Sequence, residues 1–209
     1  MGMTGPKREQ QLLTEEEYLA LDAASDRPNE FWFGRVYRRE GESHDHVLLA
    51  AQLLTAFQRR LRKSSWHVVV SLLRVRMDEP RCYAYPDLVV WGDDSLWSDE
   101  QNDTLLSPLV LAEIVSPLTK ERDQTFKLDF YRRIGSLTDY LLVSPDSVKI
   151  EHYARGHNTA WCCRTVLKGD DTVFLAGLRL GIPLREIYAG FEVVNGTIDP
   201  VLPFGEEGN

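Results

Sequence analysis

Cysteine is scarce in this chain, and what there is has the wrong spacing for staples or metal. Three occur in 209 residues, Cys82 and the adjacent pair Cys162-Cys163. An odd count with no Cys-x-x-Cys pair argues against a disulfide framework and against a structural zinc site. No apolar run approaches the roughly 18 residues a membrane span needs. The opening MGMTGPKREQQ is polar, so no secretory signal is expected there. A basic excess is missing too: Lys plus Arg number 24 against 32 Asp plus Glu, a formal net charge of −8. That balance argues against a protein held to nucleic acid by its overall field, though not against a local basic groove or a bound cation. The expectation is a reduced, cytoplasmic protein with no membrane partner.

What is present is enough apolar surface for one well-buried domain, at 43% hydrophobic residues. Thr14 and Glu17 stand at capping-box spacing before a short helix. Phe31 to Arg39 reads as a strand pair bent at Gly34. From Ser43 to Lys63 the period is helical, with Val47, Ala50, Leu54, Phe57 and Leu61 on one face. Strands are expected over Trp66–Met77, Tyr83–Trp91, Leu109–Val115, Asp139–Val143, Val148–Tyr153 and Trp161–Leu167. An amphipathic helix is expected over Asp123–Ile134, striped by Phe126, Phe130 and Ile134 and ended by Gly135. A one-turn helix follows near Pro183–Tyr188. This order gives an α/β (α+β) domain built around one mixed sheet.

Two strands carry the wrong residue for a core. Asp87 interrupts YAYPDLVVW at 83–91, and Glu113 sits inside LVLAEIV at 109–115. A lone carboxylate in a strand is most often at a wet edge or ion-paired. Two in neighbouring apolar strands are harder to explain, because facing side chains on paired strands come within about 5 Å of each other. Carboxylates that close repel unless a cation lies between them. A hard divalent ion takes such oxygen ligands. Pro86 fits a kink that opens the strand beside them.

Taken with their neighbours, these residues resemble the PD-(D/E)XK nuclease superfamily and, within it, the Uma2 family of restriction-type endonucleases. The family's elements stand here in its order as Glu30 with Gly34, Gly41 with His46, Tyr85-Pro86-Asp87, Glu113-Ile114-Val115-Ser116-Pro117, and Lys127 with Tyr131. They lead into Ser136–Val143, where the family has a small-residue turn before a strand. The likeness spans roughly Thr14 to Phe191. It implies a single domain over 14–191, with 1–13 and 192–209 as terminal extensions, and a restriction-endonuclease-like mixed β-sheet flanked by helices.

The resemblance also implies a metal-dependent DNA endonuclease, using one or two Mg2+ or Mn2+ ions and working as a homodimer. Asp87 and Glu113 would bind metal, with Glu30 as a further acid. Where the superfamily's Glu-x-Lys has lysine, this chain has Val115, so the resemblance moves the catalytic lysine to Lys127 on the next helix. By its spacing Lys127 borders the Phe126/Phe130 stripe, where a long stem can be buried and the ammonium delivered to the sheet edge. From its spacing alone the same residue reads first as a surface i,i+4 partner of Asp123, and the resemblance is what favours the catalytic role.

Glu30 is either a surface acid preceding a strand or the extra metal-orienting acid. His46 reads as a cap or packing residue, since imidazole suits magnesium poorly. Tyr131 belongs at the site rim, Asp123 beside Lys127, and Ser116 at the strand end. Arg35, Arg38, Arg39, Arg74, Arg76, Lys120 and Arg132 are the candidates for a DNA groove. Two rival classes stay open: a catalytically silent binding or structural protein on this fold, and a two-carboxylate glycoside hydrolase that needs neither Lys127 nor a metal.

Overall fold

Thr14 starts the first helix as its spacing suggests. Its hydroxyl accepts from the Glu17 amide while the Glu17 carboxylate takes the Thr14 amide, a complete capping box for α1 (Glu15–Ala23). The structure is a computed structural model and describes residues 12–39, 42–70, 72–78, 81–98, 103–115, 122–156, 160–194 and 197–200. Gly41, Ser116, Pro117 and Lys120 lie outside these residues, as do 1–11 and 201–209 of the expected terminal extensions.

After α1 come β1 (Asn29–Trp32) and β2 (Arg35–Arg38), then α2 (His44–Leu61), β3 (Trp66–Val70), β4 (Arg74–Asp78), β5 (Arg81–Ala84), β6 (Leu88–Gly92), β7 (Thr104–Leu105) and β8 (Val110–Ile114). A six-residue π-helix (Arg122–Lys127) runs into α3 (Leu128–Tyr131). The remainder holds β9 (Asp139–Val143), β10 (Lys149–Arg155), β11 (Trp161–Lys168), β12 (Thr172–Leu175), β13 (Leu180–Pro183), α4 (Leu184–Ile187), β14 (Phe191–Val194) and β15 (Thr197–Pro200). No helix among the described residues is long and apolar enough to cross a membrane.

The expected single sheet is two large sheets, with the hairpins β12-β13 and β14-β15 forming two further two-stranded sheets. A five-stranded sheet has the order β2-β1-β5-β4-β7, and a six-stranded sheet the order β11-β10-β9-β8-β6-β3. Both are mixed, because β4–β7 and β8–β9 are parallel while the other pairs run antiparallel. The stretch expected as one strand over 66–77 breaks after Val70, and β4 joins the other sheet. Tyr83–Trp91 breaks in the same way at Tyr85–Asp87. Pro86 has no amide hydrogen to give a ladder, so pairing ends at Ala84 and resumes at Leu88. Asp87 therefore sits at the junction of the two sheets.

The six-stranded sheet buries both faces. Leu88, Val90, Val110, Ala112, Leu141 and Val143 pack on α2 and α4. Val89, Leu111, Tyr140 and Leu142 pack toward α3 and the five-stranded sheet. Burial on both faces explains the nearly unbroken apolar runs of β6, β8 and β9.

The phase expected for α2 is corrected. Its buried face is Leu49, Ala50, Leu53, Ala56, Phe57 and Leu61, while Val47 is 54% exposed. The sheet touches a stripe rotated away from Val47, toward Leu49 and Leu53. Leu53→Ala should accordingly cost about 2–5 kcal/mol of stability, the usual range for a buried leucine. Val47→Ala should stay within about 0.5 kcal/mol. Chemical denaturation of both variants checks the phase, and an equal cost would contradict it.

Candidate active site

Asp87 and Glu113 meet because β6 and β8 pair antiparallel. The register runs Val90↔Val110, Val89↔Leu111, Leu88↔Ala112, and one further step on each strand sets Asp87 opposite Glu113. Alternation along each strand turns both acids toward the second core, the side that α3 covers. Asp87 Oδ2 accepts from the Ile114 amide at 2.7 Å, which ties the end of β6 to β8. Both acids are buried.

Glu30 and Lys127 join them. Glu30 lies within β1, not ahead of a strand, and is as buried as the other two. Lys127 Nζ lies 2.8 Å from Glu113 Oε1, 2.9 Å from Glu30 Oε1 and 3.4 Å from Asp123 Oδ1. The Tyr131 hydroxyl donates to Glu113 Oε1 at 2.9 Å, and Trp32 Nε1 donates to Glu30 Oε2 at 3.2 Å. Four sequence-expected site residues, Glu30, Asp87, Glu113 and Lys127, thus come together from β1, the β5–β6 junction, β8 and the π-helix.

The expectation of a regular helix over 123–134 is corrected, while Lys127 does bury its stem and bring its ammonium to the sheet, and is no surface partner of Asp123. The first turn is π-helical, a rare, wider winding that is frequent at functional sites. Lys127 ends that turn and is 2% exposed. The α-helical part stops at Tyr131, so Gly135 does not cap it. Phe126, Phe130 and Ile134 do share the second core.

Around Asp87 the structure adds residues that the sequence had not assigned to it. Arg39 Nη2 reaches Asp87 Oδ1 at 2.6 Å and Glu42 Oε1 at 2.7 Å, while Nη1 donates to the Tyr85 carbonyl. His46 Nε2 lies 3.2 Å from Asp87 Oδ1 and 3.7 Å from Glu42 Oε1. The cap expected of His46 is real only for its backbone, whose amide donates to Ser43 Oγ. Its ring turns inward, and Nε2 is buried without hydrogen-bond geometry to any partner. His44, two residues earlier, is exposed. The one available signal for His46 was its place in the order of family elements.

The proposed DNA groove loses two members. Arg39 is spent on Asp87 and Glu42. Arg74 is buried on Asp22, Thr104 and Asp103, where it is a structural crosslink. A list of basic residues carries no information about which of them face an internal acid.

The electrostatics differ between the two strand acids. Burial alone would raise the Asp87 carboxyl, but His46, Arg39 and the Ile114 amide together hold it below the ordinary carboxylate range. Burial dominates at Glu113 and pushes it up to about 8. Lys127 pulls against this, while Asp123, Asp87 and Glu30 add to it. Burial also raises the Tyr131 phenol, helped by Glu113, which keeps it a neutral donor.

The residues fit a hard divalent cation. Four buried acids, Glu30, Asp87, Glu113 and Asp123, face the Arg39 guanidinium and the Lys127 ammonium. With all four ionised the acids outnumber these cations by two, and the raised Glu113 carboxyl relieves one of those charges by holding its proton. Asp123 Oδ1 is buried without a hydrogen bond, and the donors are mostly oxygen. Among the described residues the ligand atoms that lie within 4.8 Å of one another are those of Glu42, His46 and Asp87. The expected set of Asp87, Glu113 and Glu30 is not gathered that closely, because Glu113 and Glu30 are drawn onto the Lys127 ammonium.

Mixed sheets flanked by helices, with Asp87 at the junction of the two large ones, make a restriction-endonuclease-like fold. A solved structure has the same fold. It is the crystal structure of "a putative nuclease belonging to DUF820" from Anabaena variabilis ATCC 29413, matched with a TM-score of 0.67 at 15% identity over 83% of this chain and 96% of that one. The chain belongs to the Uma2 family, described as "Putative restriction endonuclease", whose model matches residues 15–185. Two relatives from Synechocystis sp. (strain ATCC 27184 / PCC 6803 / Kazusa) carry the names uncharacterized protein sll1609 and uncharacterized protein slr1290. The first is 28% identical over 160 residues, 77% of this chain and 90% of its own. The second is 27% identical over 179 residues, 85% and 92% respectively.

Proposed function

We propose that this protein is a metal-dependent phosphodiester hydrolase, a DNA endonuclease using Mg2+ or Mn2+. The observation that carries the reading is Lys127. Val115 leaves the superfamily's lysine position empty, yet an ammonium from another element stands 2.8 Å from Glu113 and 2.9 Å from Glu30. Asp87 and Glu113, with Glu30, would hold the ion. When bound, it supplies a more acidic water and polarises the scissile phosphate.

The chain's own residues do the rest. The Ile114 amide and Arg39 fix the Asp87 carboxylate in place. Tyr131 fixes Glu113 through a hydrogen bond to Oε1. Lys127 would offer its ammonium to the attacking water and to the phosphate as negative charge builds. Asp123 holds the lysine at the end of the π turn. A homodimer, as the family resemblance implies, would set two such sites against two strands.

One observation favours a second reading, a catalytically silent scaffold. Both strand acids already have built-in cations, Arg39 on Asp87 and Lys127 on Glu113, and such pairing serves stability as well as chemistry. Purified protein incubated with supercoiled plasmid separates the two. The nuclease nicks or linearises it with Mn2+ or Mg2+ and stops on chelation. No cleavage together with no metal-induced rise in melting temperature would leave the scaffold. Cleavage that ignores chelator would overturn the metal mechanism.

A further inference from the structure

Phe33 is in a place where its residue type is costly. The Trp32↔Arg35 pairing leaves Phe33 and Gly34 as a two-residue turn, with φ of 53° and 78°. That is the geometry of a type I′ turn, which prefers asparagine, aspartate or glycine at its first position. A bulky side chain at positive φ is strained, and such strain tends to persist where function holds it. The ring is also half exposed, an expensive use of a large apolar side chain unless something covers it.

Its surroundings say what would cover it. Trp32, Phe126 and Phe130 form a floor, with ring centroids 4.9–5.5 Å apart. Phe33 stands nearly perpendicular on that floor, at 65° to Phe126 and 72° to Phe130, so neither ring is stacked on it. The floor is wired to the acid cluster twice. Trp32 Nε1 donates to Glu30, and Phe126 precedes Lys127 in the π-helix. Cations flank it: Arg35 is exposed beside the turn, and the exposed Arg133 guanidinium lies 4.9 Å from the Phe130 ring. An exposed aromatic between cations, beside a phosphodiesterase site, matches the chemistry of a nucleobase with phosphates on either side.

We propose that Phe33 is a stacking platform for one unpaired base next to the phosphate to be cut, so that the preferred ligand is single-stranded nucleic acid and not intact duplex. The inference rests on the nuclease reading. Phe33 acts as a positioning residue, holding the strand while the acids and Lys127 do the chemistry.

The test is fluorescence anisotropy of the full chain, in chelator to prevent cleavage, with labelled oligo-dT and with a blunt duplex of equal length. Wild type should bind the single strand more tightly. Phe33→Asn, which installs a residue the turn prefers, and Phe33→Leu, which keeps apolar bulk, should each weaken single-strand binding by about tenfold, as losing one stacked base does. The slope of log affinity against log salt should not move, because no phosphate contact is removed. Phe33→Tyr should bind as wild type does. Unchanged affinity in both Phe33→Asn and Phe33→Leu would overturn the inference, as would a duplex preference in wild type. If wild type cleaves plasmid with metal while these variants bind normally, the stacking role fails alone. If wild type neither binds nor cleaves, the nuclease reading fails and takes this inference with it.

Discussion

Lys127→Ala should lower metal-dependent DNA cleavage by about a hundredfold or more, the usual scale for losing a positioned charge-stabilising or acid–base group. The sequence alone suggested that stability would hardly change, since a lysine at a helix boundary supports no core. Its burial reverses that expectation. Glu30, Glu113 and Asp123 would be left facing one another without their shared ammonium, and breaking a buried pair costs about 3–5 kcal/mol. Divalent metal should restore much of this, because it brings the charge the lysine took away. Metal affinity should therefore hold or rise. Lys127→Met, which keeps the stem without the charge, separates lost packing from lost charge, and metal-dependent recovery of the melting temperature shows that each variant is folded. Val115 lies on the same face of β8 as Glu113 and packs against the second core, so adding Val115→Lys tests whether an ammonium from the superfamily's usual position rescues cleavage. Full activity in Lys127→Met alongside a dead Asp87→Asn would remove the lysine from the mechanism and keep the metal site.

Asp87→Asn should abolish cleavage and the thermal response to metal. At a hundredfold excess over its dissociation constant, a bound ion stabilises the native state by about 2.7 kcal/mol. For a chain of this size that raises the melting temperature by roughly 5–10 °C. Wild type should show the rise and the variant should not. The strand pattern suggested that removing one of two close carboxylates would relieve repulsion and stabilise the metal-free fold. Arg39 overturns that, because Asp87 is already neutralised at 2.6 Å. Removing its charge leaves a largely buried guanidinium on Glu42 and a carbonyl alone, at a cost of roughly 2 kcal/mol. Equal metal responses in the two proteins, read by scanning calorimetry, would count against Asp87 as a ligand.

Much of the candidate site is legible in the sequence. An acid in a doubly buried strand has few explanations, so Asp87 and Glu113 announced themselves through their apolar neighbours. Pro86 marked a kink beside Asp87, though not that the kink divides two sheets, and Gly34 marked the hairpin that carries Glu30. Arg39, Glu42 and His46 were not legible as a group. They come from a strand end, a loop and a helix start, and nothing in their spacing says that all three converge on Asp87.

The sequence by itself determined the element types, the two strand acids and the family, because each depends on local period or on residues in fixed order. Tertiary structure decided which face of α2 is buried, that one expected sheet divides into two large sheets and two hairpins, and that Lys127 leaves from a π turn. It also decided which arginines serve the interior. Those outcomes depend on what packs against each element, and a chain's own periodicity does not encode the surface that will meet it.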